Sequence, residues 1–149
     1  MPEPIALPQP KMNTAEVAAF LEREFPQLGQ SGGRVFELVS VGPMTAAMRL
    51  KAHSRNLRPG GTISGPAMFA LADVALYVAI LAQIGPVGLA VTTNMNINFI
   101  TRPPQGDIVG EARLFRVGKR LAVGEVIIRA EGDAAACAHA TGTYSIPPR

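Results

Sequence analysis

The spacing of hydrophobic positions changes several times along the chain, and each change predicts an element of structure. Apolar residues recur at helical spacing over residues 14–25, with Thr14 as the predicted N-cap and a proline directly after the helix. Residues 35–41 and 45–50 are short β-type runs joined by a Gly-Pro turn signal. The first third of the chain therefore predicts a helix followed by a β-hairpin.

The longest apolar run, residues 67–84, lies within a helix predicted from Ser64 to Gly85. After it, β-type runs separated by turn residues predict four strands, at residues 89–100, 108–117, 121–130 and 134–145. In the first of these strands the apolar positions of a partial alternation are Val91, Met95, Ile97 and Phe99. Adjacent strands joined by short turns imply an antiparallel sheet on which the apolar helix packs, which is an α+β architecture.

Composition adds the number of domains and the cellular context. With 149 residues, 48% of them hydrophobic and 17% charged, the chain suits one folded domain over residues 14–149. Residues 1–13 contain several prolines and no secretory signal pattern, and they predict a flexible, extended arm. A single cysteine excludes an intrachain disulfide and favours a reducing compartment, so a cytoplasmic location is expected.

Charge and the apolar helix argue against two classes of partner. The formal net charge of +3 is mild and no nucleic-acid motif accompanies it, so nucleic acid is not expected as a partner. The helix has the length of a membrane span, but Asp73 lies inside it and many of its residues are small. We interpret it as a helix buried in protein, partly against a second subunit, and expect no membrane partner.

The strongest chemical feature is Asp73, in the middle of the predicted apolar helix. Aspartate is a poor mid-helix residue and is seldom buried without a partner. Removing a carboxylate from water raises its pKa and makes it a better base or nucleophile near neutral pH. A catalytic aspartate and a structural one, bonded to a backbone group or an arginine, are both compatible with this position.

The start of the same helix is the second feature. Ser64 can cap the helix, which leaves the N–H of Gly65 free at the positive end of the helix dipole, and Pro66 suits a first turn. A substrate carbonyl could approach Gly65 closely and develop negative charge beside that N–H. Plain capping without a ligand is the alternative, and it is the commoner fate of such a start.

The spacing of these two features predicts a dimer if both act on one substrate. Gly65 and Asp73 are eight positions apart, which corresponds to about 12 Å along a helix. One carbonyl group cannot lie about 3 Å from both residues of a single chain. The two groups must then come from two antiparallel copies of the helix.

The order of these features resembles the signature of the PaaI-like hot-dog thioesterases. In that family an Asn-containing loop precedes His-Gly-Gly, and a helix carrying Ala-Asp-x-Ala follows. Here Asn56 precedes the sequence Gly-Gly-Thr-Ile-Ser-Gly-Pro of residues 60–66, and Ala-Asp-Val-Ala follows at residues 72–75. Segments 91–103, 118–120 and 140–144 are also similar, so the resemblance spans about residues 14–145. Ser64-Gly65-Pro66 stands in place of His-Gly-Gly, and residues 58–61 lengthen the loop.

The resemblance implies a sheet of five or six antiparallel strands wrapped around the long helix, in a dimer or dimer of dimers with sites at the subunit interface. It also implies hydrolysis of acyl-CoA thioesters, medium-chain or aryl acyl groups being favoured. Coenzyme A would then be part of the substrate, and no separate cofactor is expected.

The resemblance also implies roles for five residues. Asp73 would attack the thioester or activate water, the Gly65 N–H would polarise the carbonyl, and Asn56 would position water or the carbonyl. Ser64 and Pro66 would lie against the substrate at the helix start.

Other residues are candidates for binding the substrate. Arg102 and the Lys119-Arg120 pair could bind CoA phosphates, although a solvated turn residue is the commoner role for any one of them. Met68, Phe69 and Tyr77 lie within about one turn of Asp73 and could line an acyl pocket, with core packing as the alternative for each.

The histidines and the cysteine predict little chemistry. His53 precedes the loop and could approach the site, whereas Cys137 has no catalytic context. His139 has no acid partner near it in the sequence and predicts a packing or interface residue. Two isolated histidines and one cysteine make a zinc site implausible, so no metal is expected.

Two further functions compete with hydrolysis. A hydratase or dehydratase needs a histidine base beside the acid, and Ser64 stands where that histidine is expected. A non-catalytic protein that binds acyl-CoA or another small ligand is suggested by the same replacement. Turnover of thioesters, or tight CoA binding without turnover, would separate hydrolysis from binding.

Overall fold

In the computed structural model, which describes residues 3–28 and 35–148, a six-stranded antiparallel sheet packs on one long helix. The helices are α1 (Thr14–Glu24) and α2 (Gly65–Ile84), with short 3₁₀ turns at Pro26–Leu28 and Ser54–Asn56. The strands are β1 (Phe36–Gly42), β2 (Thr45–Leu50), β3 (Val91–Phe99), β4 (Ile108–Val117), β5 (Leu121–Ala130) and β6 (Ala136–Ser145). Their order across the sheet is β1-β2-β4-β5-β6-β3. The predicted α+β hot-dog fold is confirmed, with six strands.

Helix α2 lies close against the sheet because the strands beneath it carry glycines. A Cβ added at Gly124 or Gly142 would lie 2.9 Å or 2.8 Å from the Leu76 side chain, and one at Gly110 would lie 3.1 Å from Leu71. Both leucine residues are at most 1% exposed to solvent. The helix is long and apolar enough to cross a membrane by length and composition alone, but 78% of its most apolar window is buried inside the protein. The prediction of a helix buried in protein is therefore confirmed.

The predicted boundaries agree closely with the structure, with one wrong cap. Helix α2 begins and ends between its predicted caps, Ser64 and Gly85, and the predicted β2, β4 and β5 have the observed limits. Helix α1 is capped by Asn13 rather than Thr14. Asn13 Oδ1 accepts a hydrogen bond from the Glu16 N–H at 2.8 Å, and Glu16 Oε1 accepts one from the Asn13 N–H at 3.0 Å. This reciprocal pair satisfies two helix-end N–H groups at once and so fixes the start of the helix.

Strand β3 departs most from its predicted form. It lies at one edge of the sheet and is shorter than the predicted residues 89–100. Two of its predicted apolar positions, Val91 and Phe99, remain 57% and 52% exposed, and one long side of the strand has no neighbouring strand within residues 3–28 and 35–148. The strand contains neither proline nor charge, the residues that commonly protect an edge from pairing. Its free edge is therefore open to a further strand.

The N-terminal arm is attached to the end of α2 through its main chain. The N–H groups of Lys11 and Met12 donate to the Ala82 carbonyl at 2.8 Å and 3.0 Å. The buried Gln83 donates from Nε2 to the Pro8 carbonyl at 3.0 Å. These contacts hold residues 8–12 against the domain, and the flexibility of the arm stays a prediction.

Candidate active site

The Asp73 carboxylate is a half-buried side chain of α2, and two hydroxyl groups hold one of its oxygens. Thr92 Oγ1 donates to Asp73 Oδ1 at 2.5 Å. The Tyr144 hydroxyl lies 2.5 Å from the same oxygen and 2.8 Å from the Asp73 carbonyl. Within the described ranges, no donor reaches Oδ2. The carboxylate thus has one oxygen fixed and the other available for chemistry.

The two hydroxyls converge because β3 and β6 are neighbours in the sheet. Thr92 is paired directly with Tyr144, so the two side chains stand next to each other on the helix side. Burial raises the pKa of the Tyr144 phenol well above its ordinary value, and the hydrogen bond to Asp73 raises it further. The phenol therefore keeps its proton and can donate a hydrogen bond at physiological pH. Thr92 and Tyr144 escape sequence reasoning because only the pairing of two distant strands brings them to Asp73.

A largely apolar cleft of about 390 Å³ opens beside Asp73. Tyr77 forms part of its wall and packs edge-to-face on Phe25 with ring centroids 5.7 Å apart. The Tyr77 hydroxyl donates to the Gly88 carbonyl at 3.1 Å, and burial, with a smaller effect of Glu24, raises its pKa. Aromatic and aliphatic groups make up most of the lining, which comprises Phe25, Leu28, Asp73, Val74, Tyr77, Gly88, Ala90, Val91, Thr92 and Tyr144.

The start of α2 presents the second group. Ser64 is the N-cap, and its Oγ accepts a hydrogen bond from the Ala67 N–H at 3.3 Å. The Gly65 N–H has no acceptor in the part of the chain that the structure describes. A Cβ on Gly65 would lie 3.4 Å from the Phe99 ring, so this aromatic ring lies against the glycine. The helix start is thus a free N–H beside an exposed aromatic side chain.

Asn56 lies next to this helix start. Its carbonyl accepts a hydrogen bond from the Ser64 N–H at 2.8 Å, and its Nδ2 donates to the Lys51 carbonyl at 3.2 Å. The structure therefore brings Asn56, Ser64 and Gly65 together, with the Asn56 amide nitrogen bonded to the loop.

The other predicted residues of α2 lie in different surroundings. Pro66 is exposed in the first turn, whereas Met68 is only 5% exposed and belongs to the core. Phe69 is 39% exposed, one turn after Gly65 and one turn before Asp73. Phe69 therefore lies on the helix stripe that joins the two candidate catalytic groups.

The predicted phosphate-binding residues lie at opposite ends of β3. Arg102 is exposed shortly after Phe99, at the end of β3 that contacts Gly65. Lys119 and Arg120 are exposed in the turn before Leu121, and Leu121 is paired with Ser145, which is also paired with Val91. This turn therefore lies at the Asp73 end, and one chain does not bring the three cations together.

His53, Cys137 and His139 stand apart from both groups. His53 Nδ1 accepts a hydrogen bond from the Arg55 N–H at 3.2 Å and caps a 3₁₀ turn. Cys137 is buried, and its thiol donates to the Ile128 carbonyl at 3.3 Å. Burial raises the pKa of this thiol. His139 has an acid partner after all, since its Nε2 lies 2.9 Å from Glu125 Oε1. Cross-strand proximity supplies this partner, which distance along the chain hides. Over residues 3–28 and 35–148 no three His, Cys, Asp or Glu residues form a group able to hold a metal ion.

Comparison with known proteins gives this fold and site a family. Residues 60–137 match the family model of the Thioesterase superfamily, and the chain belongs to that superfamily. A crystal structure of a proposed thioesterase from Silicibacter sp. TM1040 is 44% identical, with a TM-score of 0.84 over 93% of this chain and 94% of that one. A proposed esterase from Saccharolobus solfataricus is 28% identical over 137 residues, covering 92% of this chain and 87% of its own length.

The structure of the E. coli PaaI protein from the phenylacetic acid degradation operon is similar in fold, at 18% identity. Its TM-score is 0.74 over 90% of this chain and 93% of that one. The predicted resemblance to PaaI-like hot-dog thioesterases is confirmed, and so is the enzyme class. The protein is a thioester hydrolase.

Proposed function

We propose that this enzyme hydrolyses acyl-CoA thioesters, with medium-chain or aryl acyl groups, at sites shared between two copies of the chain. The observation that carries the proposal is the Asp73 carboxylate at a largely apolar cleft: two hydroxyls hold one oxygen, and no described residue donates to the other. A carboxylate placed in this way can act on an acyl carbon while the cleft holds the acyl group.

The Gly65 N–H and the Asp73 carboxylate have separate roles in the proposed reaction. The Gly65 N–H, at the positive end of α2, stabilises negative charge on the thioester oxygen as the carbonyl carbon becomes tetrahedral. Asp73 Oδ2 either attacks that carbon or removes a proton from an attacking water. The C–S bond then breaks, the CoA thiolate takes a proton, and water supplies the hydroxyl of the released acid.

The direction of β3 argues that each site is shared between two copies. In one chain the Thr92 end of β3 touches Asp73 and the Phe99 end lies against Gly65. If the free edges of two β3 strands pair antiparallel, the Thr92 end of one strand lies beside the Phe99 end of the other. The Asp73 of one copy then faces the Gly65 of the second, as the helix spacing of about 12 Å requires.

The surface around β3 supports the same pairing. Several large apolar side chains are exposed on and beside β3 and α2, namely Phe69, Leu89, Val91, Phe99 and Ile100. Exposed apolar groups concentrated beside an open strand edge are typical of a subunit interface. Pairing would also bring Arg102 of one copy near the Lys119-Arg120 turn of the other, where three cations could bind CoA phosphates.

Hydrolysis of an acyl-CoA panel tests the proposal. Short, medium, long and aryl acyl groups are offered to wild type and to Asp73→Asn, and thiol release is followed. We expect the highest kcat/KM for medium-chain or aryl substrates and a fall of about 10²- to 10⁴-fold in the variant. Asp133→Asn is the matched control, because the same chemical change falls in an exposed turn where the side chain accepts a hydrogen bond from the Ala135 N–H. Unimpaired hydrolysis by Asp73→Asn, or tight CoA binding without turnover, would contradict the proposal.

Mixing two impaired variants tests whether the site is shared. Asp73→Asn and Gly65→Ala are unfolded together, refolded and assayed against each alone. An alanine at position 65 meets Phe99 at an ordinary contact distance of 3.4 Å, so this variant is expected to fold. If each site takes one group from each copy, random mixing should restore about a quarter of wild-type activity, since heterodimers keep one intact site. Activity that stays at the mean of the two separate variants would place both groups of a site in one chain.

A further inference from the structure

We propose that Tyr144 is a positioning residue for Asp73. The hydroxyls of Tyr144 and Thr92 together occupy Oδ1 of the carboxylate, which leaves Oδ2 as the oxygen that meets the substrate. This inference rests on the proposed catalytic role of Asp73. It adds the function of two side chains and the reason why Oδ2 is the reacting oxygen.

The phenol of Tyr144 is placed for this task. The side chain is 4% exposed and reaches Asp73 from β6, which lies between β5 and β3, so its position is set by the core. The hydroxyl carries one proton and has two acceptors within reach, the carboxylate Oδ1 at 2.5 Å and the Asp73 carbonyl at 2.8 Å. The closer acceptor carries negative charge, and a charged acceptor forms the stronger hydrogen bond. The Tyr144 hydroxyl therefore donates its hydrogen bond to Oδ1.

Two donors on one oxygen fix the orientation of the carboxylate. A carboxylate is a broad two-fold rotor about its terminal torsion, so without partners its two oxygens exchange easily. Here rotation would break the hydrogen bonds from both Thr92 and Tyr144. The side chain is thus held with Oδ2 free of donors from the described residues, while Oδ1 is saturated and less nucleophilic.

Ring packing alone does not explain a tyrosine at this position. The Tyr144 ring lies 6.4 Å from the Tyr77 ring, a contact that phenylalanine would make equally well. A buried hydroxyl without a partner is costly, so the hydroxyl is compatible with this place because Asp73 accepts from it. Thr92 likewise offers its hydroxyl from a strand that is otherwise exposed over most of its length.

The test compares variants that remove one hydroxyl with variants that keep it. Tyr144→Phe and Thr92→Val should each lower kcat by roughly 10²-fold, the size of effect expected when a catalytic group is displaced by about 1 Å. KM should change by less than about threefold, because neither hydroxyl is proposed to bind the substrate. Thr92→Ser keeps the hydroxyl and should retain most of the wild-type kcat. Thr141→Val removes an exposed hydroxyl of β6 that faces away from Asp73, and it should leave both constants unchanged.

A second background separates positioning from general damage to the fold. In Asp73→Asn, the further change Tyr144→Phe should not lower the residual activity, since the carboxylate that Tyr144 orients is already absent. An equal fall in both backgrounds, or a loss in Thr92→Ser as large as in Thr92→Val, would overturn the inference. Failure of Asp73→Asn itself to lose activity would instead contradict the proposed function, so the two failures are distinguishable.

Discussion

Two acidic side chains on opposite sides of the sheet are held in opposite ways. Glu125 has a partner on each oxygen, since His139 Nε2 lies 2.9 Å from Oε1 and Arg113 donates from Nη2 to Oε2 at 2.7 Å. Among the described residues, the side chain of Asp73 receives hydrogen bonds only from neutral hydroxyls, and both reach the same oxygen. The pKa of Glu125 is lowered below its ordinary value, mainly by the hydrogen bond from His139 and further by Arg113.

The difference separates a structural carboxylate from a reactive one. Both oxygens of Glu125 are engaged by neighbouring side chains, and the residue links β4, β5 and β6 on the outer face. Asp73 has one oxygen that receives no donor from the described residues, and it lies at the cleft proposed to hold the acyl group. Burial alone would not distinguish the two, because both residues are only partly exposed.

When each of these carboxylates is moved without being removed, the largest expected effect in this comparison is at Asp73. In Asp73→Glu the added methylene displaces the carboxylate by about 1.5 Å, and both hydroxyl bonds to Oδ1 are disrupted. We expect kcat to fall by roughly 10²-fold although the charge is retained. In Glu125→Asp the opposite displacement should leave kcat near the wild-type value. Steady-state kinetics of both variants, with circular dichroism as the check on folding, decides whether position matters only at residue 73.

A smaller effect is expected when the charge of Glu125 is removed. Glu125→Gln should lower the free energy of unfolding by about 1–2 kcal/mol, because hydrogen bonds to an ionised acceptor are replaced by neutral ones. Hydrolysis should be unaffected. Urea unfolding at equal protein concentration, which also fixes the degree of association, measures the difference.

The acid dependence of this difference follows from the lowered pKa of Glu125. Its folded pKa lies below its unfolded pKa, so the stabilisation is complete above the unfolded value and is lost as pH falls through the folded value. The gap in stability between wild type and Glu125→Gln should therefore shrink in acid. A gap that stays constant down to the lowest pH at which the protein folds would show that the charge of Glu125 is not what stabilises it.

The smallest effect is expected from removing the guanidinium of Arg113, the cation that pairs with Glu125. The Arg113 side chain is 64% exposed, and exposed ion pairs contribute little. Arg113→Met keeps an apolar stem beside the Phe115 ring, over which the guanidinium lies at 5.6 Å from the centroid. We expect a loss of roughly 0.5 kcal/mol in unfolding free energy, since His139 still holds Glu125. A loss larger than that of Glu125→Gln would reverse the assigned order of importance of the two partners.

The sequence by itself determined the elements and the groups that lie within one of them. The apolar run of α2, its Ser64 cap and its Gly85 end are local features, because helix periodicity and capping involve residues a few positions apart. The spacing of Gly65 and Asp73 is fixed for the same reason, and with it the inference that a shared site needs two chains. Thr14 was wrong as the cap of α1 because two neighbouring residues can both cap, and the Asn13–Glu16 pair satisfies more backbone groups.

Only the tertiary structure decided what surrounds those groups. Strand order is a long-range property, and it places β3 at an edge beside β6, so that Thr92 and Tyr144 meet at Asp73. The same pairing leaves Val91 and Phe99 exposed despite their place in the partial apolar alternation, and cross-strand proximity gives His139 the acid partner that chain order hides. Hydrogen bonds between strands join residues far apart in the chain, and no periodicity within a single segment records which strand its neighbour will be.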